Sequence, residues 1–262
     1  MFHPRSSGTH TQVNDMPLTI PANPAPAHVM SAPLSRSKRG VAMPDKLWPQ
    51  HSVLTISRLN MTQEQKDLVK HNINKWAPHT NLYFKFIDSP DGDIRITVDN
   101  DTGPGWSKVG TDAKKVPLSR PTMGISFTRS DASIAATIQH EFGHALGLKH
   151  EHQHPDRTLD LNRENIYDEY EKRGRFSYEA DNDIVRTFSR HQVQASANYD
   201  DKSIMHYGFS ASRLNSAPPI PRNFKLSEDD KTFIQSLYPE DKTFVGKLLN
   251  SSILAMISPT TT

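Results

Sequence analysis

The sequence predicts an α+β fold in two unequal parts. From about residue 50 to residue 146, short runs alternating apolar and polar residues are interleaved with two segments of helical periodicity. After His150 the chain becomes irregular and highly charged, with helical signals only at Glu164 to Lys172 and at Ser227 to Leu237, where Ser227 is placed as N-cap. The part between a proline-rich start and a short final tail is about 190 to 200 residues, a size that suits one domain or two closely joined lobes.

The first strand is Val53 to Leu59, with Val53, Leu54 and Ile56 apolar. Thr62 and Gln65 make a capping box at the head of the first helix. Val69, Ile73 and Trp76 then recur at i, i+4 and i+7 on one face, and Pro78 ends the helix. Leu82 to Ile87 is aromatic and partly alternating, a second strand. Pro90-Asp91-Gly92 is a turn. Ile94, Ile96 and Val98 alternate with Arg95 and Thr97 in a half-buried third strand. Asp101 to Gly105 reads as a loop. Met123, Ile125 and Phe127 alternate within a fourth strand, Thr122 to Thr128. The second helix, residues 131–146, follows directly. Its Ile134, Ile138, Phe142 and Ala145, spaced by four, four and three, form a core-facing stripe.

That helix carries the chemistry. His140 and His144 are four apart, one turn apart on the same face. Glu141 lies about 100° further round than His140. Gly147 can take a positive φ where the helix ends, and the turn would return His150 toward the pair. Three neutral imidazoles leave a four-coordinate zinc ion one open position, the pattern of a catalytic site rather than a structural one. Glu141 beside them is placed to take a proton from water that the metal activates. With 13 histidines in the chain, H-E-x-x-H alone would arise by chance in roughly a few per cent of such sequences. Requiring Gly147 and His150 as well lowers that by a factor of about several hundred.

The extended pattern, His140-Glu141-x-x-His144-x-x-Gly147-x-x-His150, resembles the metzincin metallopeptidases. Ser203-Ile204-Met205-His206-Tyr207 fits that clan's downstream turn, which carries a methionine beneath the metal. Glu151 after the third histidine, together with Met205-His206-Tyr207, is similar to the astacin subfamily. Trp106-Ser107-x-Val109-Gly110 and Leu226-Ser227-x-x-Asp230 resemble further astacin segments. The resemblance covers about Leu47 to Pro239, and it implies a metzincin-type fold. That means a twisted, mostly parallel sheet with two long helices in an upper lobe, and a largely irregular lower lobe with a C-terminal helix. It implies a zinc-dependent endopeptidase acting on protein or peptide substrates. One catalytic Zn2+ would sit on His140, His144 and His150, with Glu141 as general base and Tyr207 stabilising the oxyanion. Thr122 to Thr128 would be the edge strand above the cleft, where an extended substrate adds through main-chain hydrogen bonds. Glu151 is read either as a carboxylate supporting the ligands or as a salt-bridge partner, and the same resemblance implies a processed N-terminus as that partner.

Met205 is expected to pack as an apolar floor, since a thioether has no obvious place beside three imidazoles. His152, His154 and His206, close to the motif in sequence, are expected as surface histidines or as supports around the ligands rather than as ligands themselves. The chain departs from the astacin pattern in having no cysteine and no F-x-G-D prosegment motif. An alternative reading is a catalytically inactive, zinc-stabilised protein-binding module. Glu141, which no structural role requires, favours the enzyme.

Composition narrows the partners. The net charge is +2. Residues 1–40 contain Arg5, Arg36, Lys38 and Arg39 against Asp15 alone, so the slight basicity belongs to that segment and nucleic-acid binding is not expected. Without cysteine there is no disulfide framework and no thiol nucleophile. No run of 18 or more apolar residues is present, so no transmembrane helix is expected, and the start lacks the continuous apolar core of a secretory signal. The compartment is left open. Three regions are expected: a disordered, proline-rich segment over 1–40, a catalytic domain over 41–239, and a tail over 240–262. Arg36-Ser37-Lys38-Arg39 reads either as a dibasic processing site, which would start a mature chain near Gly40, or as a solvated basic cluster in a flexible tail. The catalytic unit is expected to act as a monomer.

Overall fold

The structure, a computed structural model, describes residues 40–216 and 218–257. The expected disordered segment and the processing motif up to Arg39 lie outside the described residues.

In chain order the elements are β1 (Val41–Ala42), β2 (Val53–Leu59), α1 (Gln63–Ile73), β3 (Tyr83–Ile87), β4 (Ile94–Val98), β5 (Gly105–Ser107), β6 (Met123–Ile125), α2 (Asp131–Ala145), α3 (Arg163–Glu171), α4 (Ser177–Ala180), β7 (Gln194–Ala195), α5 (Glu228–Leu237) and α6 (Phe244–Ile257). Five strands form one sheet in the order β3-β2-β4-β6-β5. Strand β2 runs parallel to β3 and β4, β4 runs parallel to β6, and only β5 is antiparallel. The register aligns apolar residues across strands: Ile56 faces Phe86 on one side and Ile94 on the other, and Ile96 faces Met123. Those residues bury against Val69 and Ile73 of α1 and Ile134, Ile138 and Phe142 of α2. This is the upper lobe expected from the resemblance, and its apolar contacts form the main core.

The expected edge strand is a correction. Strand β6 is three residues long and lies inside the sheet, between β4 and β5. The edge is β5, which starts at the last residue of the expected loop. Three residues after Gly103-Pro104 carry no periodicity to read. The pairing is supplied by the partner strand. Lys108 N–H donates to Thr122 O at 2.8 Å, and Ser126 N–H donates to Pro104 O at 3.1 Å.

The capping box of α1 is present, with Gln65 N–H on Thr62 Oγ1 and Thr62 N–H on Gln65 Oε1. The helix stops at Ile73, short of Pro78, and a 3-10 turn at Ala77–His79 follows. Trp76, between the two, is fully buried, and its indole donates to Gln139 O at 3.1 Å. That bond ties α1 to the middle of α2.

Beyond His150 regular structure is sparse. Helices α3 and α4 and a π turn at Asp181–Val185, with Leu161 and Phe209 from the flanking loops, carry a second, smaller core that includes Ile166, Tyr170 and Ile184, and the two-residue β7 pairs with β1. Arg157 donates to the carbonyls of His152, Ile184 and Val185, holding irregular backbone together where no ladder does. Part of the expected tail is helical, as α6, and the apolar stretch Ile253 to Ile257 lies at its end. Among the described residues no helix is long and apolar enough to cross a membrane.

Candidate metal centre and cleft

Helix α2 is amphipathic only in its first turns. From Ala136 to Ala145 every residue is buried, and Thr137, His140 and Glu141 line a cleft between the lobes. The end of α2 is closed on all sides. Gly147, at φ 102°, lets Leu148 N–H reach Gly143 O and its own N–H reach His144 O, a complete Schellman arrangement. The indole of Trp48 donates to Ala145 O and the hydroxyl of Tyr238 to Leu146 O, both at 2.8 Å, so the last carbonyls of the helix are satisfied by both ends of the domain. The chain leaving the turn is pinned along β1, with Lys149 N–H on Val41 O. The next residue is His150.

The expected ligands come together. One ring nitrogen from each of His140, His144 and His150 lies within 4.8 Å of the others. His140 Nδ1 meets Ile204 O and His144 Nδ1 meets Leu148 O, both at 2.8 Å. A carbonyl can only accept, so each Nδ1 carries the hydrogen and each Nε2 keeps its lone pair free. His144 Nε2 and His150 Nε2 face each other at 3.0 Å. Burial holds all three rings neutral, His140 down to about 4 and the other two well below the ordinary value. Three neutral imidazoles converging without a charge among them can coordinate a metal ion, and their backbone partners fix the ring orientation.

Glu141 is buried beside them, and burial raises its carboxyl to about 8, opposed by the charge of Arg222. The edge strand presses directly on it: a methyl added at Gly105 would lie 2.9 Å from Glu141 Cγ and 2.6 Å from Thr137 Cγ2. Tyr207 stacks at the site, its ring centroid 4.2 Å from His150 and 6.0 Å from His140. Met205 is buried under Gly143 and joins the main core, as an apolar floor should.

The other three histidines hold neighbouring loops. His152 is buried, stacks on His150 and Tyr207, and bonds Asp183 O through Nε2. His206 bonds Tyr207 O through Nδ1 and the Tyr199 hydroxyl through Nε2. His154 bonds Ser196 Oγ. Glu151 ties the third histidine to the methionine turn: its N–H donates to Met205 O, and its carboxylate accepts from Asp200 N–H.

Sequence reasoning missed two residues. Asp230 is fully buried at the head of α5 and accepts from Ser203 Oγ, Ile204 N–H and Ser227 N–H at 2.6, 2.8 and 2.9 Å. The resemblance includes it in Leu226-Ser227-x-x-Asp230, but no sequence signal marks its hold on the methionine turn. Arg222 donates to Thr137 Oγ1 at 2.8 Å, one turn before Glu141, and closes the far wall of the cleft. No local pattern marks it. The cleft is about 750 Å³, and besides the site residues it is lined by Lys149, Arg173, Arg175 and Arg222 against Asp183.

Residues 40–223 match the model of the astacin peptidase family. The chain belongs to the astacin family. The solved structure of myroilysin superposes with a TM-score of 0.72 at 33% identity, covering 77% of this chain and 100% of that one. Zinc metalloproteinase nas-14 of Caenorhabditis elegans is 27% identical over 214 residues, which is 76% of this chain and 38% of that protein. Low choriolytic enzyme of Oryzias latipes is 36% identical over 116 residues, 39% of this chain and 38% of that protein. The chain therefore spans 38% of the length of each of these two curated relatives. As an astacin it has the expected metzincin-type architecture, and the three-histidine cluster falls inside the matched region.

Proposed function

We propose that this astacin is a zinc-dependent endopeptidase that cleaves protein or peptide substrates laid through the cleft between its lobes. The observation that carries the reading is the convergence of His140, His144 and His150 with Glu141 buried against the edge strand. Zinc bound by three imidazoles supplies a Lewis acid that polarises a carbonyl and makes water nucleophilic near neutral pH.

The chain's own residues do the rest. Strand β5 offers its free edge to an extended peptide. Glu141 takes the proton from the attacking water and later gives it to the leaving amine nitrogen. Tyr207 donates its hydroxyl to the oxyanion that develops on the carbonyl oxygen. Burial keeps the Tyr207 hydroxyl protonated, well above its ordinary range, so it is a donor at any working pH. His152 and His206 hold the Tyr207 segment, and Met205 supports α2 from below. In this reading residues 41–239 are the catalytic unit.

The test is hydrolysis of casein or a quenched peptide. Activity should vanish with a chelator and return with added zinc. Zinc binding without any hydrolysis would favour the inactive binding module instead. For Tyr207→Phe we expect kcat to fall about 10²-fold with KM little changed, the loss of one oxyanion donor. An unchanged kcat would remove Tyr207 from the mechanism.

A further inference from the structure

Next to the substrate edge lies a cationic depression that the reaction itself does not use. It has a volume of about 440 Å³ and is lined by Trp106, Lys108, Lys115, Arg120 and three apolar residues, with no acidic residue. Lys108, Lys115 and Arg120 are exposed. Lys115 shares Asp112 with Lys46. Among the described residues Lys108 and Arg120 have no carboxylate partner.

The depression is built rather than incidental. The guanidinium of Arg95, 1% exposed, donates to the carbonyls of Gly92, Val116 and Arg120. It pins the 116–120 loop to the sheet. The Trp106 indole donates to Asp99 Oδ2 at 2.6 Å and lies over Gly124. Both walls are held before any ligand arrives, so little ordering cost remains for binding.

Its position follows from the ladder. Pro104 O and Lys108 N–H bond toward β6. Antiparallel alternation then turns the N–H and C=O of Gly105 and Ser107 toward the free edge. Gly105 abuts Glu141 on the α2 side. Trp106 and Lys108 therefore lie on the opposite face. A peptide that added antiparallel to β5 would have its scissile bond near Gly105. Its N-terminal portion would run past Ser107 toward Lys108, about three residues, or roughly 10 Å, upstream. Alternate side chains of that portion would fall on the Trp106 and Lys108 face.

We propose that Lys108, Lys115 and Arg120 form a specificity subsite for aspartate or glutamate side chains of the substrate about three to five residues N-terminal of the scissile bond. The proposal rests on the endopeptidase reading above. It adds a selection site outside the catalytic cleft and on the other face of the edge strand.

The test uses quenched peptides with one fixed sequence around the scissile bond, prepared at about 50 mM salt, where exposed charges are weakly screened. One set carries two glutamates upstream, one carries two alanines there, one carries two lysines there, one carries the glutamates downstream, and one short peptide lacks the upstream residues. Wild type should cleave the upstream-glutamate peptide with kcat/KM about tenfold above the alanine peptide, mainly through KM. In K108A/R120A that ratio should fall to about one, while cleavage of the short peptide stays at the wild-type rate. In K108E/R120E the upstream-lysine peptide should become the better substrate, which a general loss of folding would not produce. Equal kcat/KM for the glutamate and alanine peptides in wild type overturns the subsite. A preference confined to the downstream glutamates also overturns it. If no peptide is cleaved, the short one included, the endopeptidase reading fails and the subsite falls with it.

Discussion

Replacing Glu141 by glutamine is expected to lower kcat on any cleaved peptide about 10³- to 10⁴-fold, while metal content and thermal stability stay close to wild type. The amide keeps the shape that Gly105 and Thr137 pack against, so the edge strand and α2 should keep their contact. It cannot accept a proton. The carboxyl is buried, and that burial raises it to about 8, with the positive charge of Arg222 pulling the other way. A dication on the three histidines would pull it further down. A base must be ionised to act, so on the acid side wild-type activity should rise with pH as Glu141 loses its proton. The residual activity of Glu141→Gln should lack that limb. Measuring kcat against pH beside zinc content by metal analysis decides the matter. Near-wild-type turnover in the zinc-loaded variant would reject Glu141 as the base, and zinc lost together with activity would recast it as a structural residue.

The parts of the molecule written locally were legible. The i, i+4 histidines, Gly147 and His150 are close in sequence, and helix geometry with one positive-φ turn brings them together. The same holds for the capping box at Thr62, the N-cap at Ser227 and the alternation of β4. What pairs at a distance was not legible. Strand β5 is three residues whose status as a strand comes from Met123, Gly124 and Ile125 opposite them. The resemblance places the edge at Thr122 to Thr128, and alternation cannot correct it, because it reveals a strand but not its place in a sheet. Arg222 meets Thr137 across 85 positions, and Arg95 is an ordinary polar position of an alternating strand until its carbonyl partners are seen. Arg95 is a buried cation and Arg222 a half-buried one, both set by tertiary packing, which periodicity does not report. The short α1 has a packing cause as well: with Trp76 fully buried and bonded to Gln139 O, the chain leaves the helix before Pro78 would stop it.

For Asp230→Ala we expect a loss of about 3 to 5 kcal/mol in unfolding free energy, because three donors, Ser203 Oγ, Ile204 N–H and Ser227 N–H, lose their acceptor in a buried place. Activity should fall with it even at temperatures where the variant is folded. Ile204 O orients His140 through Nδ1, and Met205 N–H rests on Ser203 Oγ, so the floor and one ligand both hang from this carboxylate. Asp230→Asn is the informative companion. Its oxygen can serve Ile204 and Ser227 while its amide donates to Ser203, so it should cost only about 1 to 2 kcal/mol. The pH dependence separates charge from shape. Burial raises the Asp230 carboxyl from 3.8 to about 6, partly opposed by its hydrogen bonds. The folded state therefore holds the proton more tightly than the unfolded one. That contribution is full below about pH 4 and is lost as pH rises through about 6. The stability advantage of wild type over Asp230→Asn should therefore shrink between about pH 4 and pH 6 and level off above that, as read from urea unfolding at each pH. An advantage that grows over that range would mean the carboxylate is stabilised as an anion, with its three donors and the head of α5 outweighing the cost of burial.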